Sequence, residues 1–495
     1  MNRQITRVAL VSLALLIALI IATTYWQTWA AAGLEARQDN EIQRVAQFTI
    51  KRGLIHAANG RTVLANNVTR KVQGKTLFFR RYPARFLAPH VVGYSTASRS
   101  RAGLERSEND YLTATNKSLR TVFRTALDRL KGVTITGNTL VLTLRTRAQA
   151  LANRLLARQC GSVVALEPAT GRVLIMASSP GYDQNLVERN FAAISRGVRA
   201  NCSPTAPLLN RATDGLYVPG STFKILTAAA ALDSGRFPAD SEFDDPGYCI
   251  EYGKRVTNFS DQSGPEVFGH VNFTQALQHS INAVFCNIGK ELGALTILDY
   301  ARRFGFYSVP PLETPVNERA ASGLYQRGRL FSPKNNFQVD PGRLAFGQER
   351  LLVTPLQLAM VAATIANGGI VMRPYVVERV VGPDRHTVAR TRPQDLGRAI
   401  KPETAATLTG MMEAVVTGGT GTAARISGVR VAGKTGTAET GVSHRNTTSF
   451  VCFAPAEAPR VVVGVFLENQ QGTGGATAAP IAREVLQALL SGGPT

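Results

Sequence analysis

The chain has 495 residues, of which 44% are hydrophobic and 18% are charged. This length is more than one ordinary domain needs, and the composition excludes a largely disordered chain, so we expect two or three folded domains. The net charge of +22 is spread rather than clustered, which argues against nucleic acid as a partner. Two interpretations of the positive charge remain: a solvated, arginine-rich surface, or attraction to anionic lipid or wall polymer.

The N-terminus predicts a membrane anchor. Arg3 and Arg7 flank an apolar run at residues 8–22, and Trp26 and Trp29 suit a membrane–water interface. A signal peptide cleaved near residues 30–32 is the alternative, but the run is long and bulky tryptophans fit poorly before a cleavage site. We therefore predict a cytoplasmic tail at 1–7, a transmembrane signal anchor at 8–30, and a single-pass protein of the cell membrane whose remaining residues are extracytoplasmic.

Beyond the anchor, the predicted elements place strands on both sides of a long helical middle. Asn59-Gly60 marks a turn between two short strand-like runs, in a basic segment that shows no catalytic pattern. The elements that follow are a strand at 139–144, a helix at 147–158, strands at 162–166 and 172–177, a helix at 222–233, strands at 428–437, 449–454 and 460–468, and a helix at 478–490. Strands from both ends must meet, so we predict an α/β (α+β) fold with a central sheet.

The five cysteines carry no metal-binding spacing, and we predict neither a metal nor another cofactor. An odd number leaves at least one thiol unpaired. Cys202 and Cys249 lie in polar, loop-like segments and are the candidate disulfide. Cys286 and Cys452 lie in apolar runs and are expected to be small buried hydrophobic residues.

Ser221 begins a predicted helix and has Lys224 one turn away. Pro219 and Gly220 break the preceding segment, so Ser221 lies where backbone N–H groups can stabilise negative charge. Serine is a weak nucleophile that needs an adjacent base, and Lys224 can be that base only when it is neutral. An isolated Ser-x-x-Lys is more often a helix N-cap with a surface lysine. Here the helix is apolar enough to be buried, and two further motifs accompany it.

The second motif is Ser280-Ile281-Asn282, between two predicted helices. Ser280 can relay a proton to a leaving nitrogen, and Asn282 can donate and accept hydrogen bonds with a substrate amide. Alone, such a loop is almost always only a turn. Its place between the other two motifs favours a functional interpretation.

The third motif, Lys434-Thr435-Gly436-Thr437, lies within a predicted strand. Gly436 permits close approach of another backbone, such as an extended peptide that adds alongside the strand. Lys434 offers a fixed positive charge, and Thr435 a hydroxyl, for a substrate carboxylate. Lys434 is also the candidate cation that keeps Lys224 neutral.

Other chemistries find little support in the sequence. The six histidines form no His-x-x-x-His pair, and Gly-x-Ser-x-Gly does not occur. His90 and His386 are therefore expected to be surface residues. The acyl-serine arrangement is the only catalytic set that the sequence completes.

Together the three motifs resemble those of the penicillin-binding proteins and serine β-lactamases. Residues 217–224 are similar to the active-site segment of that family almost residue for residue, and residues 347–369 resemble the segment between its second and third motifs. Glu349 stands where the family often has glycine. Arg52-Gly53-Leu54-Ile55 and Gly103-Leu104-Glu105 resemble motifs of the class B pedestal domain, so the chain is identified as similar to the class B proteins of actinobacteria.

The resemblance implies a fold and a domain order. It implies a β-lactamase/transpeptidase-like domain at 146–495, with a central antiparallel sheet flanked by helices. A smaller pedestal, or dimerisation-type, domain at 31–145 and one transmembrane helix precede it. The pedestal is too short for a glycosyltransferase, so the partner implied is a membrane-embedded glycan polymerase of the shape, elongation, division and sporulation type.

The resemblance also implies a peptidoglycan D,D-transpeptidase that β-lactams acylate. Its substrate would be stem peptides ending in D-Ala-D-Ala. The implied catalytic residues are Ser221 as nucleophile, Lys224 as base, Ser280 as proton donor to the leaving D-alanine, with Asn282 and Lys434; the implied substrate-binding residues are Thr435, Gly436 and Thr437. The N–H groups of Ser221 and Thr437 would hold the oxyanion. The alternatives are a D,D-carboxypeptidase or β-lactamase on the same fold, and a non-catalytic wall scaffold or sensor.

Overall fold

The computed structural model describes residues 2–26, 47–72, 74–116, 119–196, 198–261, 264–439 and 445–492. Its first helix, α1 (Asn2–Thr24), is apolar and has no side chains buried against the rest of the described chain. By length and composition α1 can cross a membrane, although a signal sequence passes the same test. The last predicted anchor residues, 27–30, lie outside the described residues.

The remaining helices lie mainly between the two groups of strands, as the sequence predicts. They are α2 (Pro89–Val92), α3 (Gly103–Ser107), α4 (Asn109–Leu112), α5 (Leu119–Leu130), α6 (Thr146–Leu155), α7 (Leu186–Arg189), α8 (Lys224–Asp233), α9 (Phe273–Gln278), α10 (Asn282–Leu292), α11 (Ala294–Arg303), α12 (Pro341–Ala345), α13 (Pro355–Ala366), α14 (Pro402–Gly418) and α15 (Gly474–Ser491).

The strands form two larger sheets and several short ladders. They are β1 (Ile55–His56), β2 (Val63–Val72), β3 (Lys75–Arg81), β4 (Thr139–Leu142), β5 (Gly161–Leu166), β6 (Val173–Ser179), β7 (Glu242–Asp245), β8 (Tyr248–Glu251), β9 (Lys254–Thr257), β10 (Ser260–Asp261), β11 (Gly264–Pro265), β12 (Gly269–Asn272), β13 (Gly323–Gln326), β14 (Arg329–Leu330), β15 (Leu351–Leu352), β16 (Ile370–Met372), β17 (Val377–Val381), β18 (Thr387–Arg390), β19 (Asp395–Arg398), β20 (Ala432–Glu439), β21 (Asn446–Ala454) and β22 (Val461–Gln470).

A five-stranded antiparallel sheet in the order β20-β21-β22-β5-β6 joins the two ends of the region between residues 161 and 470. Its strands are almost wholly buried because helices cover both faces, which explains the continuous apolar runs in the inner strands β21, β22 and β5. Val163 and Ala165 face the cluster that contains α15, whereas Val164 and Leu166 face the cluster that contains α8 and α13. This arrangement confirms the predicted central sheet flanked by helices.

A second sheet, in the order β18-β17-β4-β1-β2-β3, combines N-terminal strands with two strands from residues 377–390. Strand β4 pairs in parallel with β1 and antiparallel with β17. The predicted domain boundary after residue 145 therefore falls beside a sheet that both sequence regions build. That boundary stays a prediction.

A buried ion cluster holds the N-terminal domain together. Both Arg52 and Arg80 donate to the carboxylate of Glu105, at 2.9 and 2.5 Å. Burial alone raises the pKa of Glu105, but the two guanidinium groups hold the pKa below its usual value. The pedestal motifs that contain Arg52 and Glu105 thus meet at one charge cluster, whose parts would be costly to bury separately.

His90 lies in the contact between the two sequence regions, so its predicted surface position is wrong. Its Nε2–H donates to the carbonyl oxygen of Pro207 at 2.8 Å, and its ring packs edge-on against Tyr182. Burial lowers the pKa of His90 to about 4. His386 is exposed, as expected.

The disulfides differ from the predicted Cys202–Cys249 pair, which is wrong. Cys202 bonds Cys160, and Cys249 bonds Cys286. Apolar neighbours made Cys286 look like a simple core residue, yet its position on α10 faces the hairpin that carries Cys249. Cys452 is a buried thiol, as predicted.

Candidate active site

Ser221 lies in a 3-10 turn (Gly220–Phe223) that leads directly into α8. Ser221 is partly exposed, whereas Lys224, the first residue of α8, is completely buried. Gly220 has a left-handed φ of 53°, and a Cβ there would lie 2.9 Å from the carbonyl oxygen of Thr437. The turn therefore holds the Ser221 backbone close to β20.

The Lys224 amine is bound by the second motif. Its Nζ donates to the Ser280 carbonyl oxygen at 2.6 Å and to Asn282 Oδ1 at 2.8 Å, and it lies 3.3 Å from Ser280 Oγ. The other end of the Asn282 amide donates from Nδ2 to the Thr257 carbonyl oxygen at 3.0 Å. That contact fixes which side of the amide faces Lys224.

Ser280 connects the first and third motifs. Its φ of 61° is in the left-handed region that non-glycine residues seldom adopt. This backbone directs both oxygens of Ser280 towards lysines, because Lys434 Nζ also donates to Ser280 Oγ, at 2.9 Å. Strained residues of this kind cluster at functional sites.

Lys434 and Thr435 on β20 form the opposite wall. The side chain of Lys434 is completely buried, and its Nζ donates to the Thr435 carbonyl oxygen at 3.0 Å. Thr435 Oγ1 lies 2.6 Å from Thr420 Oγ1. Thr437 Oγ1 accepts from the N–H of Gly474, next to the start of α15.

The two lysines share one buried environment, and each has a lower affinity for protons than a lysine in water. Burial, and then the positive charge of Lys434, lower the pKa of Lys224 well below its ordinary value. Burial lowers the pKa of Lys434 to about 7. The sequence predicts a fixed charge on Lys434, whereas burial makes this charge titrate near neutral pH.

Gly436 packs against the Ser221 turn rather than against an open edge. A Cβ at Gly436 would lie 2.9 Å from the Pro219 carbonyl oxygen and 2.8 Å from the Thr222 side chain. It would also lie 2.4 Å from Ser449 Oγ. The observed reason for glycine is therefore internal packing, which brings the first and third motifs together.

Three further residues shape the cleft, although the sequence motifs do not include them. They are Thr420, Gly474 and Gly347, whose carbonyl oxygen accepts from the N–H of Gly220 at 3.2 Å. Gly347 has a φ of 80°, and a Cβ there would lie 2.3 Å from the Gly220 oxygen. Glycine-rich runs around 418–421 and 472–475 were the available signal, because such runs permit close backbone approach.

The arrangement is suited to moving one proton. A neutral lysine has two N–H groups and one lone pair, and the Ser280 carbonyl and Asn282 Oδ1 can only accept. The lone pair of Lys224 is then left for a hydroxyl, either Ser280 or Ser221. Because Lys434 donates to Ser280 Oγ, the Ser280 proton can point to Lys224 or into the cleft.

Comparisons with known proteins match both parts of the chain. Residues 161–487 match the family described as penicillin binding protein transpeptidase domain, and residues 52–140 match the penicillin binding protein A dimerisation domain. The chain is 35% identical to the peptidoglycan D,D-transpeptidase PbpA of Mycolicibacterium smegmatis, over 100% of both chains. It is 30% identical to stage V sporulation protein D of Bacillus subtilis, over 66% of this chain and 48% of that protein.

A solved structure has the same fold. It is the penicillin G acyl-enzyme complex of penicillin-binding protein A from M. tuberculosis, with a TM-score of 0.77 and 33% sequence identity. The superposition covers 89% of this chain and 100% of that chain. The similarity thus includes the N-terminal sheet as well as the cleft.

Proposed function

Because this chain belongs to the penicillin-binding protein transpeptidase family, we propose that it is a peptidoglycan D,D-transpeptidase that works through an acyl-enzyme on Ser221. The observation that carries the proposal is the buried contact of both lysines, Lys224 and Lys434, with Ser280. Lys224 lies one helical turn from Ser221. A serine nucleophile needs a neutral base, and this buried environment lowers the pKa of Lys224 and so favours its neutral form.

Acylation begins when Ser221 Oγ attacks the carbonyl carbon between the two terminal D-alanines of a stem peptide. Lys224 takes the hydroxyl proton. The N–H groups of Ser221 and Thr437 stabilise the oxyanion, and the close packing of Gly220 on Thr437 supports that pairing.

Departure of the terminal D-alanine requires a proton on its nitrogen. Ser280 donates it and regains one from Lys224, so the base returns to its neutral form. Lys434 and Thr435 bind the D-alanine carboxylate, Asn282 binds the donor amide, and Gly436 keeps the strand near Ser221. An amine of a second stem peptide then attacks the acyl carbon, and the ester bond to Ser221 Oγ breaks. The proton lost by the amine passes through Lys224 to Ser221 Oγ as the cross-link forms.

The test uses the full chain in non-ionic detergent with a fluorescent penicillin. We expect wild type to be labelled, Ser221→Ala to be unlabelled, and Ser234→Ala, at the end of the same helix, to match wild type. Equal labelling of wild type and Ser221→Ala would overturn the assignment of the nucleophile.

A second assay distinguishes transfer from hydrolysis. A synthetic pentapeptide donor with a labelled D-amino acid should yield the exchanged peptide. Release of D-alanine without exchange indicates a carboxypeptidase, and rapid turnover of penicillin indicates a β-lactamase.

We also place the catalytic region outside the cytoplasm, anchored by α1. Two disulfides, Cys160–Cys202 and Cys249–Cys286, support an oxidising compartment. Alkaline phosphatase fused after residue 52 should be active in cells. An inactive fusion there, with an active one after residue 5, would reverse the orientation.

The proposed partner is a membrane-embedded glycan polymerase. Helix α5 supports this proposal, because Phe123 and Leu130 are 70% and 84% exposed. We expect Phe123→Glu with Leu130→Glu to reduce co-purification of the polymerase from membranes. The control is Phe337→Glu, which also removes an exposed aromatic residue; equal loss in both would count against α5.

A further inference from the structure

A large cavity lies between the N-terminal domain and the catalytic region, away from Ser221. Its volume is about 1150 Å³, and its walls come from the Asn59-Gly60 turn region, the start of α6, the β5–β6 turn, the β21–β22 turn and the end of α15. Such a volume is larger than a single inorganic ion needs and is comparable to that of sites for drug-sized ligands.

The cavity is strongly basic. Four arginines line it: Arg61, Arg145, Arg147 and Arg460. Within the described residues, none of these four side chains has a hydrogen bond or an ion pair. Glu167 is the acidic residue of the lining, and it accepts a hydrogen bond from Thr170 Oγ1 at 2.5 Å. A cleft lined by one sign of charge concentrates ions of the other sign.

The wall between Arg145 and Arg147 also offers a hydroxyl that has no partner in the described part of the chain. Thr146 lines the cavity, and its Oγ1 is buried without a partner among the described residues. The first turn of α6, which begins at Thr146, contains no acidic residue. Its N–H groups therefore add to the positive potential of the arginines.

The cavity and the catalytic cleft lie at opposite ends of α15. Gly474, at the start of α15, donates to Thr437 in the cleft, whereas Leu489 and Ser491 line the cavity. With ~1.5 Å of rise per residue, the two sites are about 20 Å apart along the helix. The cavity is therefore not an extension of the acyl-enzyme site.

We propose that this cavity binds a ligand that carries two or more phosphate charges. Guanidinium groups match phosphate oxygens with two parallel N–H donors, and four of them around one carboxylate leave an excess of three positive charges. Two sources share this chemistry outside the cytoplasm: anionic lipid headgroups and phosphodiester polymers of the wall. The cavity binds the ligand without a chemical reaction, and this binding does not depend on the reaction at Ser221.

The test measures binding by calorimetry to the full chain in non-ionic detergent. The probes are inorganic pyrophosphate, poly(glycerol phosphate), and mixed micelles that contain phosphatidylglycerol. Arg147→Gln with Arg460→Gln should weaken binding at least about tenfold. Arg154→Gln with Arg392→Gln removes the same charge from exposed positions outside the cavity and should leave binding unchanged.

A gain-of-binding variant excludes loss of folding as the explanation. Glu167→Gln removes the competing negative charge but keeps the acceptor for Thr170, so affinity should rise about threefold or more at low salt. Penicillin labelling of Ser221 should be equal in every variant, which reports a folded chain and separates this test from that of the transpeptidase.

The comparison of probes identifies the source. Tighter binding of the lipid micelles than of the polymer supports a headgroup site, and the reverse order supports a wall-polymer site. Equal weakening by the two double variants, or no measurable binding of any probe to wild type, would overturn the proposal.

Discussion

Ser280 determines how charge is shared in the cleft. Its left-handed backbone places its carbonyl oxygen 2.6 Å from Lys224 Nζ and its hydroxyl 2.9 Å from Lys434 Nζ. The cost of that conformation, about 1 kcal/mol or more, is offset by the contacts with the two buried amines.

The pH dependence of acylation follows from these amines. In the proposed mechanism the carboxylate of a penicillin binds protonated Lys434, whose pKa burial lowers to about 7. We expect the second-order rate constant for labelling to fall as pH rises above 7, by about tenfold per pH unit. Burial and the charge of Lys434 lower the pKa of Lys224, which favours its neutral form.

Rapid-quench labelling between pH 5 and 10 measures this profile. Lys434→Arg is the matched variant, since arginine keeps its charge. It should be slower overall and lack the alkaline decline. A wild-type rate that holds constant up to pH 10 would contradict the role given to Lys434.

Gly436 offers a second test at the scale of one residue. Gly436→Ala would push a methyl group against Pro219 and Ser449, so the Ser221 turn must move. We expect labelling to slow by ~10- to 100-fold, corresponding to about 1–3 kcal/mol. Gly410→Ala is the control, because nothing lies near a Cβ there. Equal rates in both variants would show that the close packing is dispensable.

At this scale, spacing along the sequence predicted which residues meet but not how. The i, i+3 spacing places Lys224 beside Ser221 on any helix. Thr420 and Gly474 reach the cleft through tertiary packing, and the glycine-rich runs around them indicate close backbone approach without indicating which elements approach. The titration of Lys434 was missed for the same reason, since its burial depends on elements far away in the sequence.

Among the elements, the hairpin β8–β9 is fastened to the start of α10. Cys249 on β8 bonds Cys286, one turn into α10, and Asn282 donates to Thr257 at the end of β9. The helix that begins at Asn282 thus holds its position through a covalent bond and a hydrogen bond. The geometry of the second motif depends on both.

Removing this disulfide should destabilise the catalytic region. We expect Cys249→Ala with Cys286→Ala to lower the free energy of unfolding by about 3 kcal/mol. The reason is that the bond joins two residues with a sequence separation of 37 and so restricts the unfolded chain. Thermal unfolding measures the stability, and penicillin labelling measures whether the cleft still reacts. Cys452→Ala removes a buried thiol without a cross-link and should cost roughly 1 kcal/mol; an equal loss in both would contradict the structural role.

Element types followed from periodicity more reliably than pairings did. The strand predicted at 139–144 is β4, and the helix predicted at 478–490 is α15, which starts four residues earlier. The cysteine pairing failed because loop-like composition says nothing about which loops are neighbours. The pairing of β17 with β4 is likewise invisible in sequence, since more than 230 residues separate Leu142 from Val377.

At the scale of the whole molecule, His90 makes the domain contact sensitive to acid. An unfolded histidine binds its proton near pH 6.5, whereas burial lowers the pKa of His90 to about 4. The unfolded state therefore takes up the proton first, and stability is fully present above 6.5 and is lost as pH falls towards 4. The difference between the two pKa values corresponds to a loss of ~3 kcal/mol at most in the free energy of unfolding.

Apparent thermal midpoints from pH 4 to 8 test this effect. His90→Gln can still donate to Pro207 but does not titrate, so its midpoint should fall less over that range. His386→Gln, at an exposed position, should follow wild type. Parallel curves for His90→Gln and wild type would exclude His90 as the acid-sensitive group.

The shared sheet has a consequence for how the protein can be divided. Val377 and Val380 on β17 are buried and pair with Leu142 and Leu140 on β4. A fragment that starts at residue 146 lacks β4, so it would present an open, apolar strand edge to solvent. Such an edge templates pairing between copies, and the fragment should aggregate or exchange strands. The penicillin-binding half therefore depends on the N-terminal half for its solubility.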